Sequence, residues 1–210
     1  MSGRSLEAMR EYYDRRAAEY DASITEGVDQ AVASAMEREG VALGQALAAL
    51  SPALTLHVAC GTGLFTRHLD GRVVALDRSR AMLEIARARL PHAHLVQAAV
   101  PALPFAAGAF ERLVTAHFYG HLDDGDRLAF LAEASRIARE LVVVDAAAHA
   151  GARPDGWQER RLRDGSHYTI YKRHFAPAQL RAELGGGEVE FEGRFFVAIR
   201  SALTTTSRRP

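Results

Sequence analysis

Residues 55–77 read TLHVACGTGLFTRHLDGRVVALD, and this stretch decides the fold. An apolar run of strand length ends at Ala59, Gly61 and Gly63 follow, and a second apolar run closes on Asp77. Glycines at a strand-to-helix turn remove side chains, so a ligand can lie against the main chain and meet free amide groups. A carboxylate ending the next strand is the usual grip for ribose hydroxyls in α/β folds.

Working outward, charged residues interleave with Leu6, Met9, Tyr12, Tyr13, Ala17 and Tyr20 at spacings of three and four, the period of an amphipathic helix. A second helix is expected over Val28 to Leu50, stopped by Ser51-Pro52. Then the grain changes. LTLHVA, RVVALD, AHLVQA, ERLVTAHF and ELVVVDA read as buried strands. Helices are expected between them over Thr62 to Leu69, over Ser79 to Leu90 with a serine cap, and over Asp126 to Arg139. Strand and helix alternating in this way make a doubly wound, mostly parallel sheet. After Asp145, RRLRDGSHYTIYKR alternates around Asp164-Gly165 as an inserted hairpin, Pro177 to Leu184 forms a short helix, and EVEFEGRFFVAIRS supplies a closing antiparallel pair.

The 210 residues, 48% hydrophobic and 25% charged, suffice for one globular domain with a real core. Divided along the chain, 1–50 is a helical cover, 51–145 a cofactor-binding core, 146–176 a hairpin insertion and 177–210 the closing helix and strands. Lys plus Arg and Asp plus Glu are 26 each, so no bulk field favours nucleic acid. Cys60 is the only cysteine, which excludes an internal disulfide framework and fits a reducing cytoplasm. The charged start MSGRSLEAMREYYDRR lacks the pattern of a signal peptide or a membrane span.

A dinucleotide turn would want a third small residue where Thr66 stands, which argues against an NAD(P)-dependent oxidoreductase. CGTGLFTRHL with Asp77 instead resembles the first two motifs of the class I S-adenosylmethionine-dependent methyltransferases. YYDRRAAEYD is similar to that family's amino-terminal closing helix, VPALPFAAGAFERLV to the segment between its third and fourth strands, and RLRDGSHYTIYKRHFAPAQLRAEL with GRFF to a bacterial subgroup acting on small molecules. The resemblance implies a Rossmann-like, seven-stranded sheet and S-adenosyl-L-methionine as cofactor. The chain differs from the family pattern at His57 and Ala99, where an acid is usual, and at Ala59, where a glycine is usual; Ala138-Arg139-Glu140 replaces a glycine-rich turn.

Carried over residue by residue, the resemblance puts Ala59, Gly61 and Gly63 around the methionine part and Asp77 on the ribose. Arg78 and Met82 fall beside the adenine, with Ala98, Ala99 and Val100 as its other wall, and Tyr13, Arg16 and Tyr20 close over the cofactor. His121, flanked by His117 and Tyr119, matches the family's histidine in the loop after the fourth strand and is the candidate base, with His117 also at the cofactor. Phe118, Trp157, His167, Tyr168 and Tyr171 are aromatic or amphipathic groups suited to an acceptor pocket. The nine histidines include no His-Glu-x-x-His pairing, so no metal is expected. The RRLR run at Arg160 to Arg163 reads as a solvated strand face.

The expected activity is methyl transfer to a small organic acceptor at oxygen, nitrogen, sulfur or carboxylate. A binding module of the same fold, or non-methylating chemistry at the same site, is the alternative. Neither membrane nor nucleic-acid partners are expected, and pairing of the hairpin with another subunit leaves a homodimer open.

Overall fold

The computed structural model describes residues 4–100, 102–152 and 155–203; the extreme ends of the cover and closing segments, Pro101 of the third-to-fourth strand segment, and 153–154 of the insertion lie outside the described residues. Two helices open the chain, α1 (Arg4–Arg16) and α2 (Gln30–Ala48), joined by two 3-10 turns. The alternating part follows: β1 (Ala53–Val58), β2 (Gly71–Asp77), α3 (Arg80–Arg89), β3 (His94–Gln97), β4 (Phe110–Ala116), α4 (Asp124–Ile137) and β5 (Ala138–Ala146). The hairpin β6 (Gly156–Arg161) and β7 (His167–Lys172) precedes α5 (Pro177–Glu183), β8 (Glu188–Glu192) and β9 (Phe196–Ala202).

The main sheet has seven strands in the order β3-β2-β1-β4-β5-β9-β8, parallel from β3 to β5 and antiparallel at β9 and β8. Alternation along each strand feeds two layers. Leu56, Leu113, Leu141 and Val143 pack with Phe130, Ile137 and Leu180 of α4 and α5 on one face. On the other face Val114, Val142 and Val144 meet Leu43 and Leu47 of α2, and Ala75 meets Leu83 and Ala86 of α3. Caps set the helix starts: Asp29 accepts from the Ala31 amide, Ser79 from Met82 and Asp123 from Asp126. The Asp123 cap starts α4 ahead of its expected position.

The sheet's edges are short or charged. β3 is four residues long. At the far side β8 carries a bulge between Val189 and Phe191, and Arg200 of β9 binds Glu188 and Glu190 of β8 and Glu140 of β5.

One expected helix does not form. Residues 62–69 make only a 3-10 turn at Thr66–His68. The chain must already re-enter the sheet at Gly71, whose φ is +94° and where a Cβ would stand 2.5 Å from the Ala53 carbonyl oxygen. The short stretch between Gly63 and Gly71 is held at both ends by left-handed glycine turns, and a single 3-10 turn is what fits between them.

Candidate active site

Strand order reverses between β1 and β4, and the carboxyl ends of these strands open a crevice there. Both strands end in strained backbone: Ala59 after β1 and His117 after β4 each have φ of +55°. Left-handed non-glycine residues cost about 1–3 kcal/mol and persist where surroundings over-determine them. Ala59 thus keeps the left-handed conformation that a glycine would take at no cost. Gly61 has φ of +55° with open space where a Cβ would stand, while at Gly63, φ +80°, a Cβ would press within 2.7 Å of Leu90. Gly61 therefore opens the turn to a ligand, and Gly63 lets the turn close on α3.

Asp77 organises the turn. One carboxylate oxygen accepts the Gly61 amide and the other the Ser79 amide, each at 2.8 Å. Burial raises its pKa and these backbone amides oppose the rise. Each carboxylate oxygen retains a further lone pair for a ligand hydroxyl.

A narrow cavity lies along this turn, walled by Ala59, Gly61, Leu76, Asp77, Met82, Ala98, Val100 and Phe118 and roofed by Leu6, Met9, Tyr13 and Tyr20. Arg78 also lines it and ties the roof down by donating to the Leu6 carbonyl at 2.7 Å. Ala99 is exposed and does not line it. A bare glycine wall, a carboxylate with spare lone pairs and an apolar slot suit a nucleoside whose other end carries no phosphate. Thr66 bears differently on this than the sequence suggested: it points inward, its hydroxyl 2.8 Å from Nδ1 of buried His57, whose own pKa burial pulls down to about 3. Among the described residues Nε2 of His57 has no hydrogen-bond partner.

A second, wider cleft of about 780 Å³ shares Tyr13, Tyr20, Ala59, Gly61, His117 and His121 with the first. Arg16 lines only this cleft, its guanidinium lying over the Tyr12 and Tyr20 rings and bound to Ser23. Segment 17–25 is moored to the glycine turn through Asp21, which accepts from the Thr62 hydroxyl and from Arg89, both at 2.7 Å.

The face the hairpin turns inward is that of Ile170, which among the residues expected at the pocket carries only Tyr168. Arg160, Ile170 and Lys172 line the cleft, whereas Trp157 is 45% exposed and stacks on Tyr171 on the outer side, and His167 is exposed. Tyr168 packs on Tyr12 and donates to Glu11 instead of lining the pocket. Strand alternation around Ile170 was the available signal: the residues two before and two after it share its side. Arg160 is accordingly a wall of the cleft, while Arg163 is on the surface with Glu19 and Glu26.

Lys172 reaches Oδ1 of Asp145 at 2.6 Å, and the other oxygen accepts the Gly120 amide. Burial pushes the Asp145 pKa up, but Lys172, His117 and the amide outweigh it and hold the carboxyl near 2. Tyr119 is not at the site. Its ring is 1% exposed, packed against Phe130 and Phe175, with its pKa pushed by burial to about 12.

His117 sits between the rings of Phe65 and Phe196, and burial lowers its pKa to about 4. His121 has both nitrogens engaged: Nδ1 lies 2.6 Å from the Tyr171 carbonyl and Nε2 2.9 Å from the Tyr13 hydroxyl. Burial, reinforced by Lys172, lowers its pKa to about 3. A histidine this deeply buried is a poor proton acceptor at neutral pH. Among the described residues no group of three or more His, Cys, Asp or Glu side chains is placed to hold a metal ion, and no helix is long and apolar enough to cross a membrane.

Comparison with known proteins agrees with this geometry. A methyltransferase-domain family model matches residues 55–140, from β1 into β5. An uncharacterized methyltransferase of Alkaliphilus oremlandii (strain OhILAs) is 34% identical over 73 residues; the match spans 33% of each chain. The DhpI–SAM–HEP and DhpI–SAH complexes are 28% and 27% identical, cover 95% of this chain and 98% and 97% of theirs, and superpose with TM-scores of 0.73. Magnesium protoporphyrin IX methyltransferase from Synechocystis PCC 6803 with bound SAM, at 13% identity and a TM-score of 0.64 over 93% of this chain and 95% of that one, shares the fold. With the glycine turn, the carboxylate beneath it and the roofed apolar slot, these matches support a class I S-adenosylmethionine-dependent methyltransferase.

Proposed function

We propose that the protein methylates a small organic acceptor that carries an anionic group, bound in the wide cleft beside the cofactor cavity. The observation that carries this reading is the cleft's charge: Arg16, Arg67, Arg160 and Lys172 line it against Asp21 and Glu37. Phe65, Phe196 and Ile170 give the same cleft apolar walls. A volume of about 780 Å³ suits a small molecule better than a polymer. The DhpI neighbour forms a complex with both SAM and HEP, which supports a second ligand besides the cofactor in this fold.

S-adenosylmethionine supplies an electrophilic methyl group on a sulfonium. The chain's own contribution is to hold two ligands in fixed register, and alignment of this kind can lower a barrier by roughly 7–11 kcal/mol. Asp77, the Gly61 main chain, Met82 and Val100 would grip the cofactor. Tyr13, Tyr20 and the roof of α1 would exclude water. Lys172, pinned by Asp145, is a fixed cation at which an oxyanion can dock, and such an acceptor is already a nucleophile that needs no base.

Labelled S-adenosylmethionine offered with a panel of carboxylates, other oxyanions, phenols, amines and thiols tests the reading. Oxyanions are expected to take the label, with Lys172→Met raising the acceptor KM about tenfold or more, the loss of a charged hydrogen bond. Labelling confined to neutral amines or thiols would overturn the anionic acceptor.

A further inference from the structure

We infer that His121 is a positioning residue: its imidazole fixes the hydroxyl of Tyr13 and thereby docks the cover helix over the cofactor cavity. This rests on the cofactor reading above. A carbonyl oxygen only accepts, so the 2.6 Å contact with the Tyr171 carbonyl places a proton on Nδ1. In the neutral ring Nε2 is then bare, and the Tyr13 hydroxyl donates to it across 2.9 Å. Burial keeps the ring neutral, with a pKa near 3, and holds the Tyr13 phenol well above its ordinary value, so this arrangement persists at any working pH.

The partners of this chain come from three parts of the fold. Tyr13 belongs to α1, His121 to the 3-10 turn after β4, and Tyr171 to the hairpin strand β7. The anchor is rigid. Gly120, one residue before His121, donates to Asp145 and accepts from the Arg173 amide at 2.8 Å, and a Cβ there would collide with the Arg173 carbonyl at 2.6 Å. α1 is therefore docked on a turn already wedged between β5 and β7, at the point where both cavities meet. The α1 contacts with the hairpin tip, such as Arg15 with Asp164 at 3.4 Å, are exposed ion pairs of small worth.

This role differs from proton abstraction in what it moves. A base would leave cofactor binding alone, whereas an anchor for the roof should change it. His121→Asn and Tyr13→Phe should each weaken S-adenosylhomocysteine binding about 3- to 10-fold by calorimetry, the usual worth of one hydrogen bond. The double variant should be no weaker than either single one, because both remove the same link. His121→Gln, whose amide reaches the position of Nε2, should restore most of the affinity. Hydrogen exchange across residues 4–16, read with and without S-adenosylhomocysteine, should lose its ligand-induced slowing in His121→Asn and Tyr13→Phe and regain it in His121→Gln. Variants that keep wild-type affinity and slowing, or losses that simply add in the double variant, would overturn the inference while leaving the cofactor reading intact. Failure of the wild-type protein to bind S-adenosylhomocysteine would overturn both.

Discussion

Replacing Asp77 by Ala should damage the protein twice, and the two losses can be measured separately. In the unliganded fold the substitution strips the acceptor from the Gly61 and Ser79 amides, both held at 2.8 Å. A buried donor left without a partner costs about 1–3 kcal/mol. Gly61 borders the cavity, where water can replace part of the loss, while Ser79 is fully buried. The sum is therefore about 2–4 kcal/mol, or a fall of roughly 5–15 °C in melting temperature for a chain of this size. Relief of the cost of burying the carboxylate offsets part of this, so the lower half of the range is expected. The second loss appears on binding. A carboxylate that also accepts ribose hydroxyls contributes about 1.5–3 kcal/mol, so S-adenosylhomocysteine should bind about 10- to 150-fold more weakly to the folded variant. Asp77→Asn keeps one acceptor oxygen and should fall between wild type and Asp77→Ala in both measurements. Thermal melting of the free protein and calorimetry below the melting point provide the two readings. A melting temperature within about 1 °C of wild type would refute the claim that the carboxylate holds the turn. Unchanged affinity would refute its part in gripping the ribose.

Two more outcomes follow from polar links at the site. Asp145 has a folded pKa near 2, below its unfolded value, so its contribution is present above about pH 4 and is lost as pH falls through 2. Wild type should lose about 2 kcal/mol over that window, and Lys172→Met, which leaves the carboxylate buried without its cation, should lose stability at neutral pH and recover part of it on acidification; melting from pH 7 to pH 2 compares them. Asp21→Ala should lower the melting temperature by only about 1–3 °C, because the Arg89 pair is partly exposed. The same change unmoors segment 17–25 from the glycine turn and should weaken S-adenosylhomocysteine binding about fivefold, which calorimetry reads directly.

The parts of this fold written in local chemistry are legible in the sequence. β1 and β2 announce themselves as apolar runs, Ser79 as a cap, Asp164-Gly165 as a hairpin turn, and Gly61 as an open turn beside the Asp77 carboxylate. What failed to read was set by distant contacts. The helix expected at 62–69 is cut short by the close approach of Gly71 to Ala53, two segments far apart in pattern. Tyr119 looks like a site residue from its neighbours His117 and His121, yet the turn of the 3-10 helix swings it into the α4 packing. On the hairpin, aromatic residues alternate with charged ones, and intuition puts the aromatics inside. The buried partner of Asp145 is instead Lys172, so the charged residue goes in and Trp157 stays out. A buried ion pair is invisible to hydropathy, because each half alone reads as surface.

The ends of the sheet matter in a way that has nothing to do with methyl groups. With a formal net charge of +0 at pH 7, the molecule lacks the overall repulsion that keeps most proteins dispersed. What opposes strand pairing between copies along the main sheet is then local, at its two edges. β3 is too short to template a partner strand. β8 is bent by its bulge and lined with Glu188, Glu190 and Glu192, the first two tethered by Arg200, so a second copy approaching that edge meets carboxylates and a kinked ladder. Resistance to edge-to-edge pairing along the main sheet is thus built into strand length, a bulge and three carboxylates, where net charge contributes nothing.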